Sequence, residues 1–100
     1  MILKGYIFSR PFLEERVPQH VQNIVIQNYC KNRDYTFQLS ATEYRYKEST
    51  FILMELLEDI SKYDGLVFYS LFQLPINEEK RHFLYNKILK KNKVIHFAVE

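Results

Sequence analysis

Gly5-Tyr6-Ile7-Phe8-Ser9-Arg10-Pro11-Phe12-Leu13-Glu14-Glu15-Arg16-Val17-Pro18-Gln19-His20 is the stretch that decides how the rest of the chain is read. It begins inside an apolar run, Ile2 to Phe8, of the kind that a strand covered on both faces needs. The run stops at Ser9-Arg10-Pro11 and crosses a charged loop. Pro18 then opens a helix, since proline is tolerated in a first helical turn where its missing N–H has no partner to lose. In an open α/β sheet, ligands sit where strand carboxyl ends meet helix amino termini. The polar residues gathered here therefore predict a site.

Working outward, Val21, Ile24, Val25, Tyr29 and Cys30 recur at three- and four-residue steps from Pro18 to about Lys31. Gln22, Asn23, Gln27 and Asn28 fill the other face, which is the pattern of an amphipathic helix. Asn32-Arg33-Asp34 ends it. Tyr35 to Leu39 reads as a short strand, followed by a polar loop from Ser40 to Glu48. Ser49 or Thr50 can cap a second helix whose apolar stripe is Phe51, Ile52, Leu53, Leu56, Leu57 and Ile60. Asp64-Gly65 turns the chain into Leu66-Val67-Phe68-Tyr69, the most apolar strand, expected at the sheet centre. Ser70 to Pro75 leaves it, and Asn77 followed by Glu78 and Glu79 marks a third helix start. Phe83, Leu84, Ile88 and Leu89 are the expected buried face of that helix. Lys90, Lys91 and Lys93 suit its end, and Val94 to Val99 is the last strand.

The order βαβαβαβ, with right-handed crossovers of these lengths, predicts one α/β domain over residues 1–100. It is expected to be a three-layer sandwich, with a four-stranded parallel sheet in the flavodoxin-like order 2-1-3-4. One helix should lie on one face and two on the other. The topological switch point then falls between the first and third strands. Ser9, Ser40 and Ser70 are read as strand-end residues, with Ser9 and Ser70 facing each other across the crevice.

Composition narrows the function classes. Hydrophobic residues make up 47% of the 100 residues, and glycine and proline are scarce, so the chain has the makings of a packed globule. A net charge of +2 falls short of the basic excess a duplex binder concentrates on one face, and no nucleic-acid partner is expected. Cys30 is the only cysteine, which excludes an intramolecular disulfide or a cysteine zinc cluster. No His, Asp and Glu set has metal-ligand spacing, so neither a metal nor a cofactor is expected. The start lacks the apolar run of a signal peptide, and Glu55 interrupts Phe51 to Leu57. No membrane insertion and a cytoplasmic location follow as expectations. Eight tyrosines and eight phenylalanines exceed what one small core hides, and the outer strands leave open edges. A homo-oligomer is expected, with Tyr44, Tyr46, Phe72 and Leu74 as exposed contributors.

Each candidate site residue carries two readings. Ser9 is a candidate nucleophile or ligand hydroxyl, against a satisfied turn residue. Arg10 and Arg16 bracket Glu14 and Glu15, so they either clamp a phosphate or carboxylate or pair with those acids at the surface. His20, in the first helical turn, is fit for general acid/base work where the dipole keeps imidazole neutral, against a solvated histidine. Glu43, placed in the loop after the second strand, is the carboxylate candidate for proton transfer, against an ordinary loop acid. Candidate catalytic residues are thus His20, Glu43 and Ser9. Candidate ligand contacts are Arg10, Arg16, Gln19, Ser40, Thr42, Ser70 and Gln73. The lysines of the third helix read as a solvated face.

Several motifs carry a family resemblance. Gly5-Tyr6, Phe8-Ser9-Arg10-Pro11-Phe12, Glu15-Arg16-Val17-Pro18-Gln19-His20, Ser40-Ala41-Thr42-Glu43-Tyr44, Tyr69-Ser70-Leu71-Phe72 and Leu74-Pro75 resemble, in order, the sporadic carbohydrate cluster family. Those small proteins occur in bacterial gene clusters for surface polysaccharides, and the resemblance implies a pathway without assigning a reaction. More remotely, Gly5-Tyr6, a helix opening near Gln19, a helix before Asp64 and the exit Leu71-Phe72-Gln73-Leu74 resemble the catalytic domain of resolvase/invertase serine recombinases. That family's Tyr-x-Arg-x-Ser becomes Tyr6-Ile7-Phe8-Ser9-Arg10, and its Leu-Asp-Arg exit becomes Leu71-Phe72-Gln73. The resemblance implies the fold, while recombination chemistry is ruled against by the lost arginines. The resulting expectation is an enzyme or ligand-binding protein acting on an anionic sugar intermediate, a sugar phosphate or nucleotide sugar, in surface-polysaccharide synthesis. The alternative is a non-catalytic interaction module for another enzyme of that pathway.

Overall fold

The computed structural model describes residues 1–12, 16–46 and 49–99. Four strands, β1 (Ile2–Phe8), β2 (Thr36–Glu43), β3 (Gly65–Ser70) and β4 (Val94–Val99), alternate with three helices, α1 (Gln19–Asn32), α2 (Phe51–Glu58) and α3 (Glu78–Lys90). Short 3₁₀ turns at Ile60–Lys62 and Leu71–Gln73 follow α2 and β3. Every strand pair is parallel, and the order is β2-β1-β3-β4, the flavodoxin-like order expected from the sequence.

Alternation along the strands divides the apolar residues between two cores. Tyr6, Phe8, Leu66 and Phe68 meet Leu53, Leu56, Leu57 and Ile60 from the α2 segment and Leu84 and Ile88 from α3. Leu3, Ile7 and Val67 point the other way, onto Ile26 and Cys30 of α1. The sheet thus carries one helix on one face and two on the other, as expected. An edge-to-face and tilted series of rings, Phe8–Tyr6–Phe68–Phe97, crosses the two-helix face from β1 to β4.

Three boundaries or faces differ from the sequence reading. β2 runs on to Glu43, four residues beyond the predicted end at Leu39, so Ser40 lies inside a strand and Glu43 ends one. The extension pairs Tyr6, Ile7 and Phe8 with Ala41, Thr42 and Glu43 after a register shift. An edge strand tolerates such polar residues because one side of it is free. On α1 the buried residues are Gln22, Ile26 and Cys30, whereas Ile24 is 52% exposed. On α3 only Leu84 and Ile88 are buried, and Phe83 and Leu89 face outward. The helices lean on the sheet over a narrower strip than their composition allows.

The amino-terminal rim of the sheet is tightly closed. Asp34 and Asn92, at φ 58° and 54°, take the left-handed conformation that lets α1 and α3 stop and turn straight into strands. Asp64 joins the rim: its carboxylate accepts from Ile2 N at 2.6 Å, its N–H donates to Ile2 O at 2.8 Å, and its carbonyl accepts from Val94 N at 3.1 Å. At Gly65 a Cβ would run into the Val94 carbonyl, so β3 and β4 reach this close only through glycine. Among the described residues no helix is long and apolar enough to cross a membrane.

Candidate functional site

At the opposite, carboxyl rim, a cleft of ≈ 350 Å³ opens between the end of β1 and the start of α1. Phe8, Ser9 and Arg10 form one wall, and Arg16, Val17, Pro18 and Gln19 form another. Arg45, from the loop after β2, completes it. The sheet order explains this gathering, since β2 lies beside β1 and delivers its exit loop next to that of β1. The first turn of α1 contains no acid and, among the described residues, no side chain caps it, so the positive end of the helix dipole faces the cleft.

Arg10 has a second task. Its Nη1 donates to the carbonyls of Tyr44 and Tyr46 at 3.0 and 3.2 Å, its Nη2 donates to that of Ser49 at 2.9 Å, and the guanidinium lies 4.1 Å from the Phe8 ring centroid. Carbonyls do not neutralise it and no ion pair forms on it among the described residues, so Arg10 both pins the β2 exit loop and carries positive charge into the wall. Arg16 and Arg45 are exposed, and among the described residues neither forms an ion pair; the pairs present are Lys62–Asp59 and His82–Glu78. Glu14 and Glu15, the predicted counter-charges, lie outside the described residues.

The other predicted residues are placed differently. Gln19 lines the cleft; His20, beside it in the first turn of α1, is exposed and does not. Ser9 lines it as well, but its hydroxyl donates to the Glu43 carbonyl at 2.7 Å. Ser70 is buried and does not line the cleft with Ser9: its side chain accepts from Phe72 N at 3.2 Å, and its own N–H donates to Gln73 Oε1 at 3.2 Å. Ser40 and Thr42 sit within β2, and Ser40 Oγ occupies the space that a Cβ on Gly5 would need. Neither reaches the cleft wall.

Glu43 is 1% exposed, and its carboxylate is saturated. Oε1 accepts from Tyr6 Oη at 2.7 Å and Leu53 N at 3.2 Å. Oε2 accepts from Tyr44 N, Ser49 Oγ and Ile52 N at 3.0–3.1 Å. The residue expected to move protons is instead the anchor that caps α2, taking the N–H groups that the Thr50 side chain leaves unbonded. Burial first, and then the bond to Glu43, pushes the Tyr6 phenol far above its usual range, so Tyr6 remains a donor.

Two participants escaped the sequence reading. Gln22 is fully buried: its Nε2 donates to the carbonyls of Phe8 and Val17, both at 2.9 Å, and its Oε1 accepts from Phe8 N at 3.0 Å and Gln73 Nε2 at 2.8 Å. This amide ties the last residue of β1 to the cleft loop, to α1 and to the exit of β3. Its four-residue register with Ile26 and Cys30 was the available signal. Arg45 had no signal in spacing, because only the pairing of β1 with β2 brings it to Arg10. Among the described residues no three His, Cys, Asp or Glu side chains gather as a metal site would require.

Burial raises the Cys30 thiol, slightly opposed by Arg33. Burial and then Arg33 lower His96, whose Nδ1 lies 2.7 Å from Tyr29 Oη and whose ring meets Tyr35 edge-on. Both groups lie on the α1 face, away from the cleft.

The chain matches no family model and no curated protein. Among solved structures it is similar to the C-terminal catalytic domain of ISC1926 TnpA, an IS607-like serine recombinase, with a TM-score of 0.67 and 13% identity over 98% of this chain and 70% of that one. At that identity the likeness establishes the fold: a four-stranded parallel α/β sheet of the kind found in a recombinase catalytic domain.

Proposed function

We propose that this chain binds a phosphate-bearing metabolite in the carboxyl-rim cleft. The observation that carries the reading is the convergence of Arg10, Arg16 and Arg45 on the uncapped end of α1. Guanidinium forks and open helix N–H groups are both suited to phosphate oxygens. The favoured ligand class is an anionic sugar intermediate, a sugar phosphate or nucleotide sugar, and its place in surface-polysaccharide synthesis rests on the motif resemblance alone. Binding and orientation are the tasks these residues suit best. Ser9 is hydrogen-bonded to backbone, Glu43 is saturated, and His20 is exposed beside the cleft without lining it.

Calorimetric titration with inorganic phosphate, pyrophosphate and hexose phosphates tests the reading. Arg16→Ala and Arg45→Ala should each weaken binding about tenfold, because a charge-assisted hydrogen bond contributes roughly 1.5–3 kcal/mol and 1.4 kcal/mol is a factor of ten. Equal affinities across wild type and both variants would sink it. A second reading, an interaction module that self-associates, is favoured by β4, an uncharged outer strand with no partner on one side.

A further inference from the structure

Tyr44, Tyr46 and Phe51 form an aromatic shelf on the rim. The Tyr44 ring lies 6.3 Å from that of Tyr46 and 5.8 Å from that of Phe51, and the three residues are 49%, 78% and 57% exposed. Apolar residues scattered singly over a surface need no explanation, but three adjoining rings left to water do. The shelf is also held in place. Arg10 binds the carbonyls of Tyr44, Tyr46 and Ser49, and Glu43 holds Tyr44 N and Ser49 Oγ. Rings on a fixed backbone lose little freedom when a ligand settles on them.

The shelf adjoins the cationic cleft through its backbone, while its three rings stand outside the cleft lining. Arg45 lines the cleft and is the residue between the two tyrosines in the sequence, so each tyrosine Cα is about 3.8 Å from that of Arg45. Arg10 touches both sides, lining the cleft while bonding to the shelf's backbone. A phosphate group alone uses only the cleft. We infer that the site is built for a nucleoside diphosphate, free or as the activating half of a nucleotide sugar, with phosphates on the arginines and the base stacked on Tyr44, Tyr46 and Phe51. This rests on the anion-binding reading above and narrows it, from sugar phosphates and nucleotide sugars alike, to ligands that carry a nucleoside diphosphate.

The experiment titrates the whole chain with pyrophosphate, uridine diphosphate, adenosine diphosphate and a short single-stranded oligonucleotide at fixed salt. Binding is followed by calorimetry and by quenching of tyrosine emission, which no tryptophan obscures. Stacking on one aromatic platform predicts that either nucleoside diphosphate binds at least about tenfold tighter than pyrophosphate. Tyr46→Ala and Phe51→Ala, both at exposed positions, should remove most of that gap, leave pyrophosphate affinity unchanged and leave the melting temperature close to wild type. Nucleoside diphosphates binding no tighter than pyrophosphate would overturn the shelf and leave the anion site standing. Binding of none of the probes would take down the anion site itself. An oligonucleotide held tighter than the diphosphates would replace the metabolite with single-stranded nucleic acid.

Discussion

Glu43 lies at the end of an edge strand, in a run of polar residues that reads as loop, yet it holds α2 to β1. Glu43→Ala would leave the Tyr6 hydroxyl and the Ile52 and Leu53 N–H groups without their acceptor. At roughly 1–3 kcal/mol for each buried group left unsatisfied, thermal or urea unfolding should show a loss of at least about 3 kcal/mol. Tyr6→Phe removes one donor and should cost about 1.5–3 kcal/mol. An unchanged melting point in either variant would show that the cap contributes nothing. Arg10→Lys keeps the charge but cannot fork across three carbonyls. It should loosen the backbone at Tyr44, Tyr46 and Ser49, seen as faster amide exchange at those three residues, before any ligand is added. At this scale the sequence is least readable. Composition places a carboxylate and an arginine near a strand end, but whether each faces a ligand or the backbone depends on what the neighbouring strand brings beside it.

The elements were legible where apolar periodicity is strong. β1, β3 and β4 fall within a residue or so of their expected spans, because buried parallel strands are continuous apolar runs. β2 is longer than its apolar pattern indicates, because its polar half is paired only to β1 and carries no hydrophobic signal. The buried stripe on α1 differs from its apolar periodicity because Gln22 counts as polar in any such pattern, although its four hydrogen bonds make burial inexpensive. Leu57→Ala and Val67→Ala, at 1% and 0% exposure, should each destabilise by about 2–4 kcal/mol in urea unfolding, and a loss below about 0.5 kcal/mol would place them outside the core. Gly65→Ala sets a methyl against the backbone of β4, which cannot swing aside, and should cost about 1–3 kcal/mol. Between α1 and β4, His96 has its folded pKa lowered below the 6.5 of the unfolded chain. The unfolded state therefore binds more protons between those two values, and stability falls as pH drops through 6.5. His96→Gln should flatten that part of the stability curve relative to wild type. Parallel curves would remove the histidine from the balance.

For the molecule as a whole, the parallel sheet follows from connection lengths and the handedness of crossovers, while the order β2-β1-β3-β4 was expected from the flavodoxin-like pattern and is the order observed. The partners do not follow in the same way, because an unpaired edge specifies a capacity and not an occupant. β4 is half-buried along most of its length and carries no lysine, proline or bulge to deter pairing. We expect reversible self-association in sedimentation from micromolar concentrations upward, reduced by Ala98→Lys on that strand. A monomer at all concentrations would show that the edge is left open.

The turns at Asp34, Asp64 and Asn92 close one rim of the sheet with almost no spare chain, while the other rim carries its exits on longer connections. The two ends therefore differ in how freely they can be rewritten. Residues grafted into the connections before α1 or α2 change the shape and charge of the ligand end without disturbing strand registry. One extra residue beside Asp64 would shift β3 against both of its neighbours. A library built on this scaffold should accept inserts at the first end and reject them at the second, and soluble expression of paired insertions would reveal that polarity directly.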